Sequence, residues 1–415
     1  MPANSIIEQE PLYRNMPVGQ EIILVISNDT AVANEYKVKF GVEVHISSTT
    51  APDTSTTDDL IGTFKTTPNN AGVGIFDFRN IVENYVKADN MAANGSSYKG
   101  TTTTDDTRHP MHLIDKYSLN NNTFRYMQFR FYVEYLDDAT GLVARADGTS
   151  VDSDLYSIAN GYIKYTDILD MEVGNFGFDM ADFFPSNSSK KFLTNAPTIQ
   201  YANLEDYGTF GIWVPTAAHA SDFTRVTFTY YKTDGSNETE YIEIEDSNGA
   251  YDTWTQTASN EILFFGCFPG NLQNYSSMFQ TLVTAGTIQG GYYTVQGRTD
   301  SSSRTQKYTI NVNCPNGRGY ESIRLAWLNQ WGAWDYYTFT KKSIKTLSTK
   351  GTTYTQLGGT WNEARYRVDS YKGGKKAFRV NATEKIKMNT GFVAEDETII
   401  FEELMNSPEV YLLKG

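Results

Sequence analysis

His109 and His112 have a spacing that could bring two imidazoles onto one metal ion, because a helical H-x-x-H presents both rings on one face. Three nearby aspartates could add oxygen ligands: Asp105, Asp106 and Asp115. Pro110, however, separates the two histidines, and the segment Gly100–Pro110 (GTTTTDDTRHP) has little apolar content. We therefore predict an exposed polar loop at this position, with no metal bound.

Acidic residues are numerous, 49 in 415 residues, and some lie close enough in sequence to suggest paired catalytic carboxylates. The two local pairs are Asp167 with Asp170 and Asp179 with Asp182. A glycoside hydrolase needs two carboxyl groups at a defined separation, which no pattern in this sequence fixes. Because pairs at this density arise by chance, we favour solvated sheet edges and helix caps and keep a glycan hydrolase as an alternative.

Two further segments contain residue types that bind ions or nucleotides. Asp147–Asp154 (DGTSVDSD) is acidic and rich in hydroxyls, as calcium loops are, but it lacks the twelve-residue spacing of an EF-hand. Gly72-Val-Gly74 lacks the third glycine of a dinucleotide-binding turn. The sequence has no P-loop, no G-x-S-x-G and no defensible Cys/His nucleophile pair. We predict no catalytic residue, no metal and no cofactor, and we do not expect an enzyme.

Aromatic residues concentrate in Arg324–Phe339, RLAWLNQWGAWDYYTF. Alternating large side chains on both sides of Asn329–Ala333 predict a β-hairpin with Gly332 at a left-handed turn position. Tryptophan and tyrosine are enriched in protein interfaces and also stack on sugars. We take five residues as interface candidates: Trp327, Trp331, Trp334, Tyr336 and Tyr337. Trp331, at the predicted loop tip, is the one expected to touch a neighbouring subunit.

Alternation of apolar and polar residues predicts strands along most of the chain. It is clearest at Met127–Tyr135 and Glu35–Ser47, and Asp234-Gly235 is typical of a hairpin turn. Helical patterns are short and fall at Phe78–Val86, at Asn271–Leu282 and in the acidic segment that ends at Met405. We expect a mainly β fold with a few short helices, built from two or three β-sandwich domains of immunoglobulin-like type.

Changes in composition predict three domains. Polar Ser186–Pro197 suggests the first boundary, so residues 1–195 would form the N-terminal β domain or domains with one amphipathic helix. Residues 196–340 would form a middle β-sandwich that ends in the Trp-rich hairpin. Residues 341–415 would form a small C-terminal β/α unit, beginning with the polar, loosely patterned Lys341–Thr360.

The formal net charge of -14 opposes binding to a phosphate backbone, and we see no basic stripe, so no nucleic-acid partner is expected. The apolar run Ile22–Ile26 is too short for a signal peptide or a membrane span, which predicts synthesis in the cytoplasm and no membrane partner. Cys267 and Cys314 are expected to be free thiols, although a bridge between them stays open.

Two passages, RLAWLNQWGAWDYYTF and MNTGFVAEDETIIFEELMNSPEVYLL, together resemble the ends of virion-associated proteins of tailed phages. The resemblance is to phages of marine bacteria and to the Bacteroidetes and crAss-like groups, and VKFGVEVHIS followed by GVGIFDF resembles the first strands of such proteins. It implies a structural protein of the tail, neck or baseplate, made in the host cytoplasm and resident in the virion. Its expected partners are copies of itself, in a homo-oligomeric ring, and other virion proteins.

Two alternatives stay open beside assembly. One is a receptor-binding or carbohydrate-binding protein at the particle's surface, which the density of Trp and Tyr would also suit. The other is a tail-associated glycan hydrolase that would use the aspartate pairs.

Overall fold

The computed structural model of this chain describes residues 5–47, 52–87, 109–113, 116–120, 123–163, 183, 185–214, 225–243, 261–299, 301–314, 319–356, 358–360, 363–367 and 374–413. The strands in these ranges are β1 Ile6–Gln9, β2 Asn15–Gly19, β3 Ile23–Ser27, β4 Tyr36–Ser47, β5 Leu60–Thr66, β6 Val73–Asp77, β7 Tyr117–Asn120, β8 Phe124–Leu136, β9 Val143–Asp152, β10 Tyr156–Tyr162, β11 Ile199–Ala202, β12 Thr209–Val214, β13 Arg225–Tyr231, β14 Asn237–Glu243, β15 Glu261–Gly266, β16 Tyr292–Arg298, β17 Tyr308–Val312, β18 Ile323–Leu328, β19 Trp334–Phe339, β20 Ile344–Thr355, β21 Lys375–Lys387 and β22 Val410–Leu413. The α-helices are α1 Asp29–Asn34, α2 Arg79–Val82, α3 Pro269–Tyr275, α4 Ser277–Thr284 and α5 Thr398–Asn406, with 3-10 turns at Glu83–Tyr85, Pro110–His112 and Glu395–Glu397.

The first β-sandwich places the three-stranded sheet β1-β3-β6 over the sheet β2-β10-β8-β4-β5, in which β9 also pairs with β8. Alternation along β4 and β8 turns every second side chain inward, so Phe40 and Phe129 are fully buried. Between the sheets, Phe76 of β6 lies against Phe131 of β8 with ring centroids 5.9 Å apart. The apolar residues that predicted these strands therefore form one continuous core.

The second β-sandwich places the five-stranded sheet β11-β17-β16-β13-β14 over the sheet β12-β15-β7. Phe210 of β12 contacts Tyr308 of β17 across the interior, with ring centroids 5.2 Å apart. Gly235, with φ of 84°, makes the predicted turn between β13 and β14, a backbone conformation that glycine adopts without strain. Together the two sandwiches confirm the predicted mainly β fold with a few short helices.

The predicted domain boundary at residue 195 is wrong, because the chain on both sides of it contributes to the second core. β7 pairs with β15, and Phe124, Phe192 and Leu193 are buried in the same core as the later strands. Ser186–Pro197 is polar because it is irregular chain with local hydrogen bonds, such as that from the Ser189 amide to Asn187. Its apolar residues nevertheless point inward.

The chain divides into two compact units, one of residues 1–315, 324–338 and 394–415, which we call the body, and one of residues 316–323 and 339–393, which we call the ribbon unit. The predicted unit 341–415 is therefore wrong at its end. β22 pairs with β18 in the sheet β19-β18-β22, so the last strand belongs to the body. Among the described residues, no helix is long and apolar enough to cross a membrane.

Candidate functional site

The structure buries His109 instead of exposing it. Its side chain is 5% exposed, its Nδ1 accepts a hydrogen bond from the Met111 amide at 3.2 Å, and its ring meets Trp334 edge-on at 4.9 Å. Burial lowers the pKa of His109 to about 4, and electrostatic repulsion from His112 and Lys87 adds to this effect. The ring is therefore neutral at pH 7 and packs in the body, while Asp105, Asp106 and Asp115 lie outside the described residues.

The segment predicted as an acidic ion-binding loop is largely strand. Residues 147–152 belong to β9, and the side chains of residues 147–149 lie outside the description. Asp152 accepts from the Thr54 hydroxyl at 3.0 Å, and Asp154 pairs with Arg14 at 2.6 Å. Within the described ranges, no three His, Cys, Asp or Glu side chains are arranged to hold a metal ion. The four aspartates of the hydrolase hypothesis, 167, 170, 179 and 182, fall outside the described residues.

The Trp-rich hairpin forms as predicted, with β18 and β19 adjacent in one sheet and Gly332 in the left-handed region at φ of 82°. Its aromatic side chains, however, lie in the body's own core. Trp327, Trp331, Trp334 and Tyr336 are all less than a tenth exposed, and only Tyr337 is half-buried. Trp331 lies in the connection between β18 and β19, as predicted, but its ring is buried against Phe183 with centroids 4.3 Å apart. The contact with a neighbouring subunit stays a prediction, and Tyr337 is the interface candidate with the most open surface.

Asn329 holds the hairpin connection in place. Its Oδ1 accepts from the amides of Trp331 and Ala333, both at 3.0 Å, which mimics a backbone turn. Its Nδ2 donates to the Leu193 carbonyl at 2.7 Å and to Asp335 at 3.1 Å. The connection also lies close to β10, since a Cβ on Gly161 would come within 2.0 Å of the Gln330 carbonyl oxygen. The turn is thus fixed by the fold around it.

A buried polar cluster joins this hairpin to α5. Asn195 accepts from Trp331 Nε1 at 3.1 Å and donates to Glu403 of α5 at 2.7 Å. Asp335 accepts from the Thr194 hydroxyl and lies within hydrogen-bonding reach of Glu403. Burial raises the pKa of Asp335 to about 6, against the lowering effect of its hydrogen bonds to Thr194, Asn329 and Glu403.

Arg324, the first residue of the Trp-rich motif, forms a buried ion pair with Asp206 at 3.3 Å. Its Nε donates to the Tyr207 carbonyl at 2.7 Å, and its guanidinium lies over the Phe268 ring. Thr338 accepts from Arg324 and donates to Asp206 at 2.8 Å. Burial lowers the pKa of Arg324, although Asp206 acts in the opposite sense. This ion pair fixes β18 in the body.

The two-stranded ribbon β20-β21 is the part of the described structure most open to a partner. Every residue of β20 is exposed, and so is every residue of β21 except Ile386. Large apolar side chains are among them: Leu347 is 66% exposed, Phe378 74% and Val380 60%. A lone two-stranded hairpin is at best marginally stable in water, since it has no core to bury. The ribbon is therefore an exposed element with little apolar burial of its own.

The two faces of the ribbon differ in chemistry. Directly opposed residues share a face, so the register of β20 on β21 assigns each side chain. One face, which we call the apolar face, carries Leu347, Val380, Ala382 and Ile386 together with Lys345, Thr349, Gly351 and Glu384. The other, the basic face, carries Lys350, Arg379, Lys385 and Lys387 among threonines, Ser348, Asn381 and Ile344. The ribbon is thus amphipathic.

Charge is divided unevenly between the two units. The ribbon unit contains nine lysines and four arginines but only four acidic residues, so its sequence carries a net charge of +9. The body contains the other 22 basic and 45 acidic residues and carries -23, which together give the -14 of the whole chain. The expectation that no basic stripe exists is wrong for the ribbon unit. The net charge of the whole chain is negative, although this segment is basic.

Sequence reasoning missed the ribbon for a physical reason. Lys341–Thr360 is polar and Thr-rich, and alternation is weak where neither face meets the chain's own core. Ala377–Val380 is the most apolar stretch of β21, and it covers only four of the thirteen residues of that strand. A charge count in a moving window would have found the segment.

A row of side chains also crosses the outer face of the five-stranded sheet. The register places Tyr201, Asn311, Tyr292, Tyr231 and Asn237 side by side on β11, β17, β16, β13 and β14. Tyr201 is 62% exposed, and the rings of Tyr231 and Tyr292 stack with centroids 4.6 Å apart. Aromatic rings on a flat sheet can contact sugar rings.

Comparisons with known proteins add little. No family model matches the chain, and no curated protein matches it. Among solved structures, a transglutaminase from red sea bream aligns with 76% of this chain and 32% of its own length, at 6% sequence identity and a TM-score of 0.17. The chain thus spans about a third of that protein's length. A likeness this weak carries no argument about activity.

Proposed function

We propose that this chain is a structural component of a tailed-phage particle, in the tail, neck or baseplate, and that it acts by multimeric assembly. One observation carries the proposal. The ribbon presents a face with Leu347, Val380, Ala382 and Ile386 that the described chain does not cover, whereas the tryptophans of the Trp-rich hairpin are buried in the body. Exposed apolar surface of this kind marks contact sites for partners.

The resemblance of the Trp-rich hairpin and the C-terminal segment to virion-associated proteins supports the same proposal. Most of both passages belongs to the body, as residues 324–338 and 394–413, where β22 pairs with β18. The resembling residues thus build the scaffold, and the ribbon supplies the contact. Copies of the chain and other virion proteins are the proposed partners, with heterologous contacts that close into a ring. The chain would be made in the host cytoplasm and act without catalysis.

Mass spectrometry of purified phage particles, from a host that carries the coding sequence, tests this function. We expect the chain among the virion proteins in multiple copies per particle. Its absence from particles that are complete by electron microscopy would overturn the proposal.

A second candidate is binding of carbohydrate at the particle surface, which the row of Tyr201 and Tyr292 favours. Glycan-array binding by the full chain that is lost in Tyr201→Ala/Tyr292→Ala would support it. Tyr354→Ala is a suitable control, because this ribbon tyrosine is 47% exposed and lies off the row. No glycan binding by the wild type would remove this candidate.

A further inference from the structure

We propose that the ribbon of one copy docks, with its apolar face inward, on the acidic body of a second copy of this chain. The inference rests on the proposed assembly function and names the partner of that surface. It concerns contacts between copies and assigns no arrangement of the two units within one copy.

The apolar face needs a surface that can exclude water over several aliphatic side chains. Leu347, Val380 and Ile386 lie on this face, and Leu347 and Val380 are each more than half exposed. Burying such side chains drives most protein association. The register keeps this face continuous from Lys345 opposite Ile386 to Gly351 opposite Val380. It is therefore long enough to seat on a protein surface.

Charge complementarity selects a second copy as the occupant. The ribbon unit carries +9 and the body carries -23, so ribbon meets body with attraction, and body meets body with repulsion. The basic face has no acidic residue among the opposed pairs from Ile344–Lys387 to Thr352–Arg379. A ribbon-to-body contact is heterologous, which allows each copy to give one ribbon and receive another.

Nucleic acid is the other partner that a basic ribbon could bind. Phosphate binding uses Lys and Arg, and single strands also need aromatic side chains on which the bases stack. The apolar face carries aliphatic side chains at its paired positions, which suit a protein surface better than bases. The body's charge of -23 would also repel a polyanion. The structure therefore favours the body of a second copy.

The test compares two full-length double variants that differ only in the face they change. Leu347→Asn/Val380→Asn places amides on the apolar face, and Thr346→Asn/Thr383→Asn places them on the basic face of the same strands. Sedimentation velocity over a concentration series at low ionic strength gives the dissociation constant of self-association. Thermal melting of each variant verifies that the body stays folded.

We expect the wild type to self-associate, the apolar-face variant to bind at least about tenfold more weakly, and the basic-face variant to stay close to wild type. Raised salt should weaken the wild-type contact, because charges steer it. Equal self-association of both variants would overturn the inference and leave the assembly function to another surface. A wild type that stays monomeric would also overturn it.

Fluorescence polarisation with single-stranded and double-stranded DNA oligonucleotides, on nuclease-treated protein, tests the competing partner. Binding of DNA by a monomeric wild type, lost on Lys385→Glu/Lys387→Glu, would assign the ribbon to nucleic acid and overturn the inference. If the ribbon contact forms but the chain is absent from particles, the proposed function fails and this inference stands.

Discussion

Asp206 and Arg324 form the ion pair on which the position of β18 depends. Both side chains are 8% exposed, so removing one leaves the other charge buried without its partner. We expect Asp206→Ala to lower the free energy of unfolding by roughly 3–5 kcal/mol. Urea denaturation followed by tryptophan fluorescence measures this.

The control is Asp154→Ala, which breaks a pair of the same kind at the surface. Arg14 and Asp154 are 2.6 Å apart, but their side chains are 64% and 45% exposed. Such pairs contribute little, because water and salt screen them. Equal losses in the two variants would show that the Arg324 pair is not buried in solution.

Asp335 makes the free energy of unfolding of the body depend on pH. Because burial raises its pKa to about 6, the folded chain holds this proton more tightly than the unfolded chain does. This contribution is fully present at low pH and is lost as the pH rises through about 6. His109 has the opposite effect on stability. Its pKa is lowered to about 4 by burial, so the folded chain binds this proton less readily than the unfolded chain does, and stability falls as the pH drops below the usual pKa of histidine.

The comparison of Asp335→Asn with wild type isolates the carboxyl group from His109. An amide cannot ionise, so only the wild type loses stability as Asp335 ionises. The unfolding free energy of the variant minus that of the wild type should therefore increase by roughly 1–3 kcal/mol from about pH 4 to about pH 8. Chemical denaturation at several pH values measures it. A difference that is constant over this range would contradict a raised pKa at Asp335.

At the residue scale, the sequence identified the important residues, but it predicted their positions in the fold less well. Gly332 was predicted in a left-handed turn and is found there, since its place in the hairpin follows from local pattern. His109 was predicted in an exposed loop and Trp331 at a loop tip open to a neighbour, and both are buried because their surroundings come from chain far away in sequence. Local pattern cannot report such contacts.

The Trp-rich hairpin is the element whose predicted role changes most. We expect Trp331→Ala to lower the free energy of unfolding by roughly 3–5 kcal/mol, because it empties a site packed by Phe183 and frees Asn195. Trp331→Phe keeps most of the ring and should lose less. Denaturation curves of both variants, with sedimentation at native conditions, separate stability from assembly.

Loss of self-association without loss of stability in Trp331→Ala would restore the original interface hypothesis for this residue. The structure argues against that outcome, since Trp331 is 6% exposed within the body.

At the scale of elements, strands with a core face were predicted well and the ribbon was not. β4 and β8 alternate because one side of each faces a core, and this alternation is legible in sequence. Among the described residues, nothing buries either face of β20 or β21 except in part at Ile386, so their sequences show charge rather than regular alternation.

At the scale of the whole molecule, the separation of charge is the property that bears most on assembly. If copies assemble through the ribbon as we propose, attraction between a ribbon unit at +9 and a body at -23 favours the contact, so self-association should weaken as salt rises. The overall net charge of -14 does not reveal this division. The fold class followed from composition and periodicity, but the units did not, because β22 returns to pair with β18.

Native mass spectrometry of the purified full-length chain at low ionic strength tests most directly the claim that it acts by assembling with itself. The account predicts species at integral multiples of 46.6 kDa, and a shift of the population toward the single chain in Leu347→Asn/Val380→Asn at the same concentration. A wild type found only at 46.6 kDa across the accessible concentrations would contradict it.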